Sequence, residues 1–321
     1  MEKTGDLEGV TRQKMYYSRN TSELFLSGNA NPYPQMAISE MIEYLLANPE
    51  LQGKPVKLYR KLDGSIQCVP SDKKPLTDYP INPNLPVYLK EGCIMIAEPP
   101  IPDAPPYLYI CGCDPYNISE SLTSNSVGSM YVYKRMYDPV GGTFQRSIVA
   151  YYVGRPEQLD DFHANCELLA EYYNAIILPE NSGSKFISYF DLKDKGYMIA
   201  DTVNFFRQIS PSTKIVGNPK GLPATTRVKE FYGQLVLAYA REEIDTGLDD
   251  KQGNRIKRLG ITRIPDAGLL RELQSYDPKK NLDRYVGFGH TLALEIWCDK
   301  MYPIVKSTNQ EPPKEETPPV F

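Results

Sequence analysis

Short apolar runs alternate with polar turns through the middle of the chain. Three closely spaced runs, at 105–115, 125–137 and 145–154, predict three strands in an antiparallel meander. Apolar residues then recur at helical spacing over about 156–174, and the run AIILPE at 175–180 predicts a buried fourth strand. A long helical crossover would place that strand parallel to an earlier one.

The order strand, strand, strand, helix, strand is that of the RNase H-like fold. The predicted fold class is therefore α/β, with a mixed sheet of three antiparallel strands followed by a parallel strand, flanked by helices. Further along, the pattern predicts a helix at about 184–192, a strand within GYMIADT at 196–202, and helices at about 226–243 and 282–301.

The flanking segments differ from this central unit. Residues 1–34 are polar and resemble a linker, and 35–104 are predicted to form an accessory segment with a helix at 35–47 and strands at 54–62 and 86–100. We expect the RNase H-like domain over 105–303. The tail 304–321 is rich in Pro and Glu and is predicted to be disordered.

Composition narrows the class of protein. The chain has 321 residues, of which 41% are hydrophobic and 24% charged, with a net charge of −4. That charge argues against a basic coat for nucleic acid but permits a local basic groove. No run of about 18 apolar residues occurs, so we expect neither a membrane span nor a membrane partner. Six scattered Cys and two His argue against structural zinc.

Three acidic residues follow strands or begin a helix. Asp114 ends the first predicted core strand, Glu180 ends the fourth, and Asp283 lies near the start of the last helix, where Gly287 and His290 share its face. Acids at the carboxyl ends of neighbouring strands converge. The structural alternatives are plain loop residues for the first two and a favourable helix-dipole contact for Asp283.

Three carboxylates without thiolate or imidazole partners are hard oxygen ligands suited to Mg²⁺ or Mn²⁺. Two such ions can bind the attacking water and the leaving 3′-oxygen of a phosphodiester. The predicted chemistry is two-metal hydrolysis of a nucleic-acid backbone, with Asp114, Glu180 and Asp283 as both catalytic and metal-binding residues.

Four segments, in order, carry a specific resemblance: YICGCDP (109–115), SIVAYYVGRP (147–156), YYNAIILPENSGS (172–184) and NLDRYVGFGHTLAL (281–294). They resemble the nuclease domain of the large terminase subunit of tailed phages, in particular the group in phages of Bacteroidetes, including crAss-like phages. The segment NTSELFLSGNANPYP (20–34) resembles the linker between the terminase motor and its nuclease.

The resemblance implies an endodeoxyribonuclease that cleaves concatemeric double-stranded phage DNA during genome packaging, in the cytoplasm of the infected bacterial host. Its implied partners are DNA, the terminase ATPase domain, the small terminase subunit and the portal protein. Asp114, Glu180 and Asp283 match the family's metal acids. Many relatives carry two adjacent acids at the last site, whereas this chain has Leu282 before Asp283.

Accessory and DNA-binding residues follow from the same comparison and from charge. Arg155, Asn181 and His290 are candidate accessory residues, with structural roles as the alternatives. A basic cluster in a hairpin or loop is a candidate phosphate contact, without base-specific readout. The DNA-binding candidates are Lys229, Lys251, Arg255, Lys257, Arg258 and Arg263.

The chain contains no G-x-x-x-x-G-K-[ST] motif, so no ATPase activity is predicted for it. It is expected to be either a piece of a longer terminase or a separate nuclease. Two alternatives stay open. One is a Holliday-junction resolvase or another RNase H-like recombination nuclease, and the other is a non-catalytic structural module of the packaging motor.

Overall fold

The computed structural model describes residues 31–116, 126–135, 146–181, 185–201, 220–249, 252–280 and 282–304. Most of the predicted linker, Lys251 and the predicted tail after residue 304 lie outside the described residues. Within the described ranges, no helix is both long and apolar enough to cross a membrane.

A seven-stranded mixed sheet forms the centre of the molecule. Its strands are β1 (Lys54–Arg60), β2 (Ile66–Pro70), β3 (Cys93–Ile96), β4 (Tyr109–Asp114), β5 (Gly128–Lys134), β6 (Ser147–Gly154) and β7 (Ile176–Pro179). Their spatial order is β2-β1-β3-β6-β5-β4-β7. All neighbours are antiparallel except β4 and β7, which are parallel.

The central strands β4 to β7 have the predicted directions, but the predicted strand order is incomplete. β3 pairs with β6 along Cys93–Ile96, and β1 pairs with β3, so the N-terminal strands extend the same sheet. The edge of β6 offers unpaired backbone groups, and pairing with β3 satisfies them. Residues 54–96 therefore contribute strands to the central sheet.

Helices cover both faces of the sheet. They are α1 (Gln35–Ala47), α2 (Val87–Lys90), α3 (Leu159–Tyr172), α4 (Phe186–Leu192), α5 (Thr226–Arg241), α6 (Ala267–Gln274) and α7 (Asp283–Met301). Side chains of β5 alternate between two cores. Tyr131 and Tyr133 pack with α1, α5, α6 and α7, whereas Met130 and Val132 pack with α3 and α4.

Several local predictions need correction. The strand predicted at 86–100 is instead the short helix α2 followed by β3, and GYMIADT forms a helical turn over Gly196–Met198 with one parallel bridge from Ile199 to Ile177. Helix α6 was not predicted. The basic segment forms a hairpin of β8 (Glu243–Asp249) and β9 (Arg255–Leu259). The sequence predicts a hairpin or a loop for this segment, and the structure has the hairpin.

Helix α7 lies unusually close to the sheet. A Cβ atom on Gly112 of β4 would lie 2.2 Å from the Thr291 nitrogen and 2.3 Å from the Gly287 oxygen, both backbone atoms of α7. A Cβ on Gly287 would lie 2.3 Å from Ser129 Oγ. The Gly112 N–H donates to Thr291 Oγ1 at 3.0 Å. The missing side chain of Gly287 thus allows α7 to pack closely on β5.

The substitution Gly112→Ala should destabilise the fold by about 3 kcal/mol, because rigid backbone must shift to admit the methyl group. The control Gly196→Ala meets only the side-chain ends of Asp191 and Lys220 and should cost less than about 1 kcal/mol. Urea unfolding of both variants measures the difference. Equal midpoints would show that α7 moves away from β4 at little cost.

An acid-dependent contribution to stability comes from Glu167 on α3. Burial raises the pKa of Glu167, but hydrogen bonds from Lys193, Lys195 and Tyr189 outweigh burial and lower it to about 2. The pKa of Glu167 in the folded protein is below its ordinary value of 4.5. The stabilisation that ionised Glu167 provides is therefore present above about pH 4.5 and is lost as the pH falls towards 2.

We therefore expect Glu167→Gln to cost about 2 kcal/mol at pH 7 and progressively less below pH 4.5. Unfolding curves for both proteins between pH 7 and pH 3 provide the measurement. A difference that stays constant over this range would contradict the assignment of a lowered pKa.

Candidate active site

A cavity of about 620 Å³ lies where β4 and β7 end and where α5 and α7 begin. Asp114, Glu180 and Asp283 all line it, although they come from three separate parts of the chain. The remaining lining residues include Tyr116, Ser126, Thr226, Lys229, Glu230, Tyr232, Tyr276, Lys280 and Tyr285. The cavity thus combines acidic, basic and aromatic side chains.

Parallel pairing brings Asp114 and Glu180 together. Cys113 is opposite Pro179 in the β4–β7 register, and the Glu180 N–H donates to the Cys113 carbonyl at 2.8 Å. The residues that follow these two positions, Asp114 and Glu180, therefore leave the sheet side by side. This is the arrangement expected when the carboxyl ends of neighbouring parallel strands meet.

Asp283 is the first residue of α7, and the loop before β5 holds its carboxylate. Val127 N–H donates to one oxygen at 2.8 Å, and Ser126 Oγ donates to the other at 3.2 Å. Ser129 Oγ donates to the Asp283 carbonyl at 2.7 Å. Both ends of this residue are thus fixed to the strand that neighbours β4.

The three acids interact electrostatically. Burial raises the pKa of Asp114 well above its ordinary value, and the charges of Glu180 and Asp283 raise it further. Burial also raises the pKa of Asp283, against the Val127 hydrogen bond and the positive charges of Arg284 and Arg155. Gathering the carboxylates at one cavity costs free energy that a bound cation would offset.

The donor set has the chemistry for Mg²⁺ or Mn²⁺, because it consists of carboxylate oxygens. The side chains do not form a closed ligand cage: among the described residues, no three His, Cys, Asp or Glu side chains meet in metal-binding geometry. The arrangement is an open acidic cavity.

Buried Glu272 of α6 fixes the start of α7. Its two oxygens accept hydrogen bonds from the backbone N–H groups of Arg284, at 3.3 Å, and Tyr285, at 2.9 Å. The Arg284 side chain also pairs with Glu272 at 3.0 Å and lies 3.8 Å from Asp266. Burial raises the pKa of Glu272 to about 7 despite the opposing charge of Arg284. These contacts position the helical turn that carries Asp283.

The candidate accessory residues lie around the cavity rather than in its lining. Arg155 donates to the Ser126 carbonyl at 2.8 Å, next to the groups that hold Asp283. Asn181 donates to the Lys220 carbonyl at 2.9 Å, which joins 220–222 to the end of β7. His290 is fully buried under the site. Its Nδ1 lies 3.4 Å from the Cys113 carbonyl, and burial lowers its pKa.

The five described DNA-binding candidates divide into three groups. Lys229, in the first turn of α5, lines the cavity. The exposed side chains of Arg255, Lys257 and Arg258 belong to the β8–β9 hairpin, whose base follows the far end of α5, about 20 Å along that helix from Lys229. The Arg263 side chain is buried, pairs with Glu242 and packs over the Tyr239 ring. Burial removes Arg263 from the exposed basic surface.

Sequence reasoning missed Glu272, Ser126 and Lys280. A signal for Glu272 exists, since Asp266 is an N-cap residue and Leu269, Leu270 and Leu273 follow at helical spacing, which predicts α6. No sequence pattern marks Ser126, because only the folded chain brings it to Asp283 across 157 residues. Lys280 lies three residues before Asp283, and no sequence pattern indicates that it lines the cavity.

Comparisons with known proteins return little. No family model matches the chain, and no curated protein matches it. Among solved structures, the chain is similar to the large terminase nuclease from thermophilic phage G20c, at 11% identity and a TM-score of 0.27, over 62% of this chain and 86% of that one. At that TM-score the comparison carries no argument for fold or function.

Removing the Glu272 carboxylate should destabilise the protein strongly. Glu272→Ala leaves Arg284 buried with less compensation and two N–H groups of α7 without their acceptor, so we expect a loss of about 3–5 kcal/mol. Glu230→Ala removes an exposed acid that also lines the cavity and should cost no more than about 0.5 kcal/mol. Urea unfolding compares the two, and similar costs would contradict the role given to Glu272.

Proposed function

We propose that this protein is a metal-dependent endodeoxyribonuclease of RNase H-like fold that hydrolyses the DNA backbone. The observation that carries the proposal is the meeting of Asp114, Glu180 and Asp283 in one cavity, from two parallel strand ends and a helix start. Burial raises the pKa of Asp114 there, and the charges of Glu180 and Asp283 raise it further. Three clustered acids destabilise the fold, so stability does not explain their position. Binding of cations does explain it.

Asp114, Glu180 and Asp283 are the residues that would hold Mg²⁺ or Mn²⁺, as two ions in the proposed mechanism. The ions, when bound, supply the positive charge that activates water and stabilises the leaving 3′-oxygen. The protein orients the carboxylates: Ser126 and Val127 fix Asp283, and pairing of β4 with β7 fixes the other two acids. Lys229 would bind a substrate phosphate at the cavity edge.

The hairpin fits contact with duplex DNA at a distance from the cleaved bond. At 3.4 Å per base pair, the length of about 20 Å along α5 from Lys229 to the base of the hairpin corresponds to roughly six base pairs. Arg255, Lys257 and Arg258 would contact backbone phosphates there, with Lys251 as a further candidate. The net charge of −4 is compatible with this function, since the acidic cavity itself contributes negative charge until cations bind.

The biological setting proposed is phage genome packaging. The resemblance of four sequence segments to terminase nucleases of the Bacteroidetes-phage and crAss-like type supports cleavage of concatemeric DNA in the cytoplasm of the infected bacterium. The proposed partners are the terminase ATPase domain, the small terminase subunit and the portal protein. The chain itself contains no P-loop motif.

The test is cleavage of supercoiled plasmid in Mn²⁺ by the wild type and by Asp114→Asn and Asp283→Asn. Each variant should lose at least about 100-fold in rate, because losing a metal ligand costs no less than losing the groups that orient one. Asp160→Asn makes the same change at a side chain that is 88% exposed on α3 and should leave the rate unchanged. Unfolding curves check that all the variants are folded.

The substrate distinguishes the alternatives. Linear duplex cut as efficiently as a four-way junction supports a packaging nuclease, whereas strong preference for the junction supports a resolvase. Undiminished cutting by both Asp variants would overturn the assignment of the site. Absence of cutting by the wild type in Mn²⁺ and in Mg²⁺ would favour a non-catalytic module.

A further inference from the structure

Lys280 lies at an unexpected position beside the acids. Lys280 lines the cavity of about 620 Å³ that holds the three acids, called the main cavity below. Together with Asp283 it also lines a smaller cavity of about 230 Å³. The smaller cavity is otherwise formed by Tyr79, Pro80, Ile81, Val127, Glu272 and Arg284. Lys280 therefore lies where the two cavities meet, on the Asp283 side of the site.

The turn before α7 sets the direction of Lys280. The Lys280 N–H donates to the Asp277 carbonyl at 3.0 Å, and the Lys279 N–H donates to Asp277 Oδ1 at 3.0 Å. Both lysines are exposed, but only Lys280 is among the described residues that line the two cavities. Lys279 and Lys280 thus carry the same charge, but only Lys280 lines the cavity that holds the acids.

Lys280 makes no ion pair with any described residue, although Asp283 lines the same cavities. Lysines beside acids elsewhere in the described chain are paired: Lys134 with Glu98, Lys193 with Glu167 and Lys220 with Asp191. Lys229, in the first turn of α5, also lines the main cavity and is likewise without an ion pair among the described residues. Two exposed ammonium groups therefore line the cavity that holds the acids without pairing with them.

We propose that Lys280 forms a phosphate subsite of the DNA strand on the Asp283 side of the cavity, separate from the subsite of Lys229. This inference rests on the proposed function. Three carboxylates repel the strand that must lie over them, and an unpaired cation beside Asp283 offsets that repulsion at a phosphate next to the cleaved one. Lys280 binds and positions the strand. It contacts a neighbouring phosphate and takes no part in the bond-breaking step.

The test compares Lys280→Ala with its matched control Lys279→Ala. Binding of a fluorescent DNA duplex is measured in EDTA over a series of NaCl concentrations. Lys280→Ala should weaken binding and reduce the slope of log K against log salt by about 0.9, which is the effect of one lost phosphate contact. Lys279→Ala should change neither quantity, and Lys280→Arg should restore both. In Mn²⁺, Lys280→Ala should raise KM for cleavage with little change in kcat.

The outcomes separate this inference from the proposed function. Wild-type protein that binds and cuts DNA while the two alanine variants behave alike would overturn the subsite and leave the nuclease assignment standing. A fall in kcat of Lys280→Ala with unchanged KM and salt slope would also overturn it, since that result belongs to a group acting in the chemical step. Wild-type protein that neither binds nor cuts DNA would overturn both.

Discussion

The close contact between α7 and the sheet is the constraint on which the rest of the site depends. Gly112 and Gly287 remove the side chains that would separate helix from strand, and Thr291 replaces them with a hydrogen bond to the Gly112 N–H. The helix therefore crosses β4 and β5 at backbone contact, and its first residue arrives next to the end of β4. Any added methyl group at this contact would lift Asp283 away from Asp114.

Buried charge completes the attachment of α7. Arg284, adjacent to Asp283, pairs with Glu272 of α6 in the core, and Glu272 also accepts two backbone N–H groups at the start of α7. Burying these charges is expensive, so the network gives little net stability. The network instead fixes the position of Asp283, because Asp283 can move only if the buried ion pair of Arg284 and Glu272 moves with it.

Much of this architecture can be read from the residues themselves. The directions of β4 to β7 follow from run lengths, short turns and one helical crossover, and the spacing of Asp283, Gly287 and His290 predicts one face of α7. The N-terminal strands could not be assigned to the same sheet, since no local pattern states which edge a strand pairs with. Helix α6 has only eight residues, so its amphipathic pattern covers little more than two turns.

The sequence by itself determined which chemical groups are available, namely three acids at two strand ends and a helix start. It also determined which elements carry them, because hydrophobic residues repeat with a period of two in strands and of 3.6 in helices. Only the tertiary structure decided that the three acids meet, that Ser126 joins Asp283 from 157 residues away, that Lys280 lines the same cavity and that Arg263 does not. The reason is physical. Local periodicity follows from the geometry of a few neighbouring residues, whereas proximity across 100 or more residues follows from how sheet edges pair and how closely a helix packs on them.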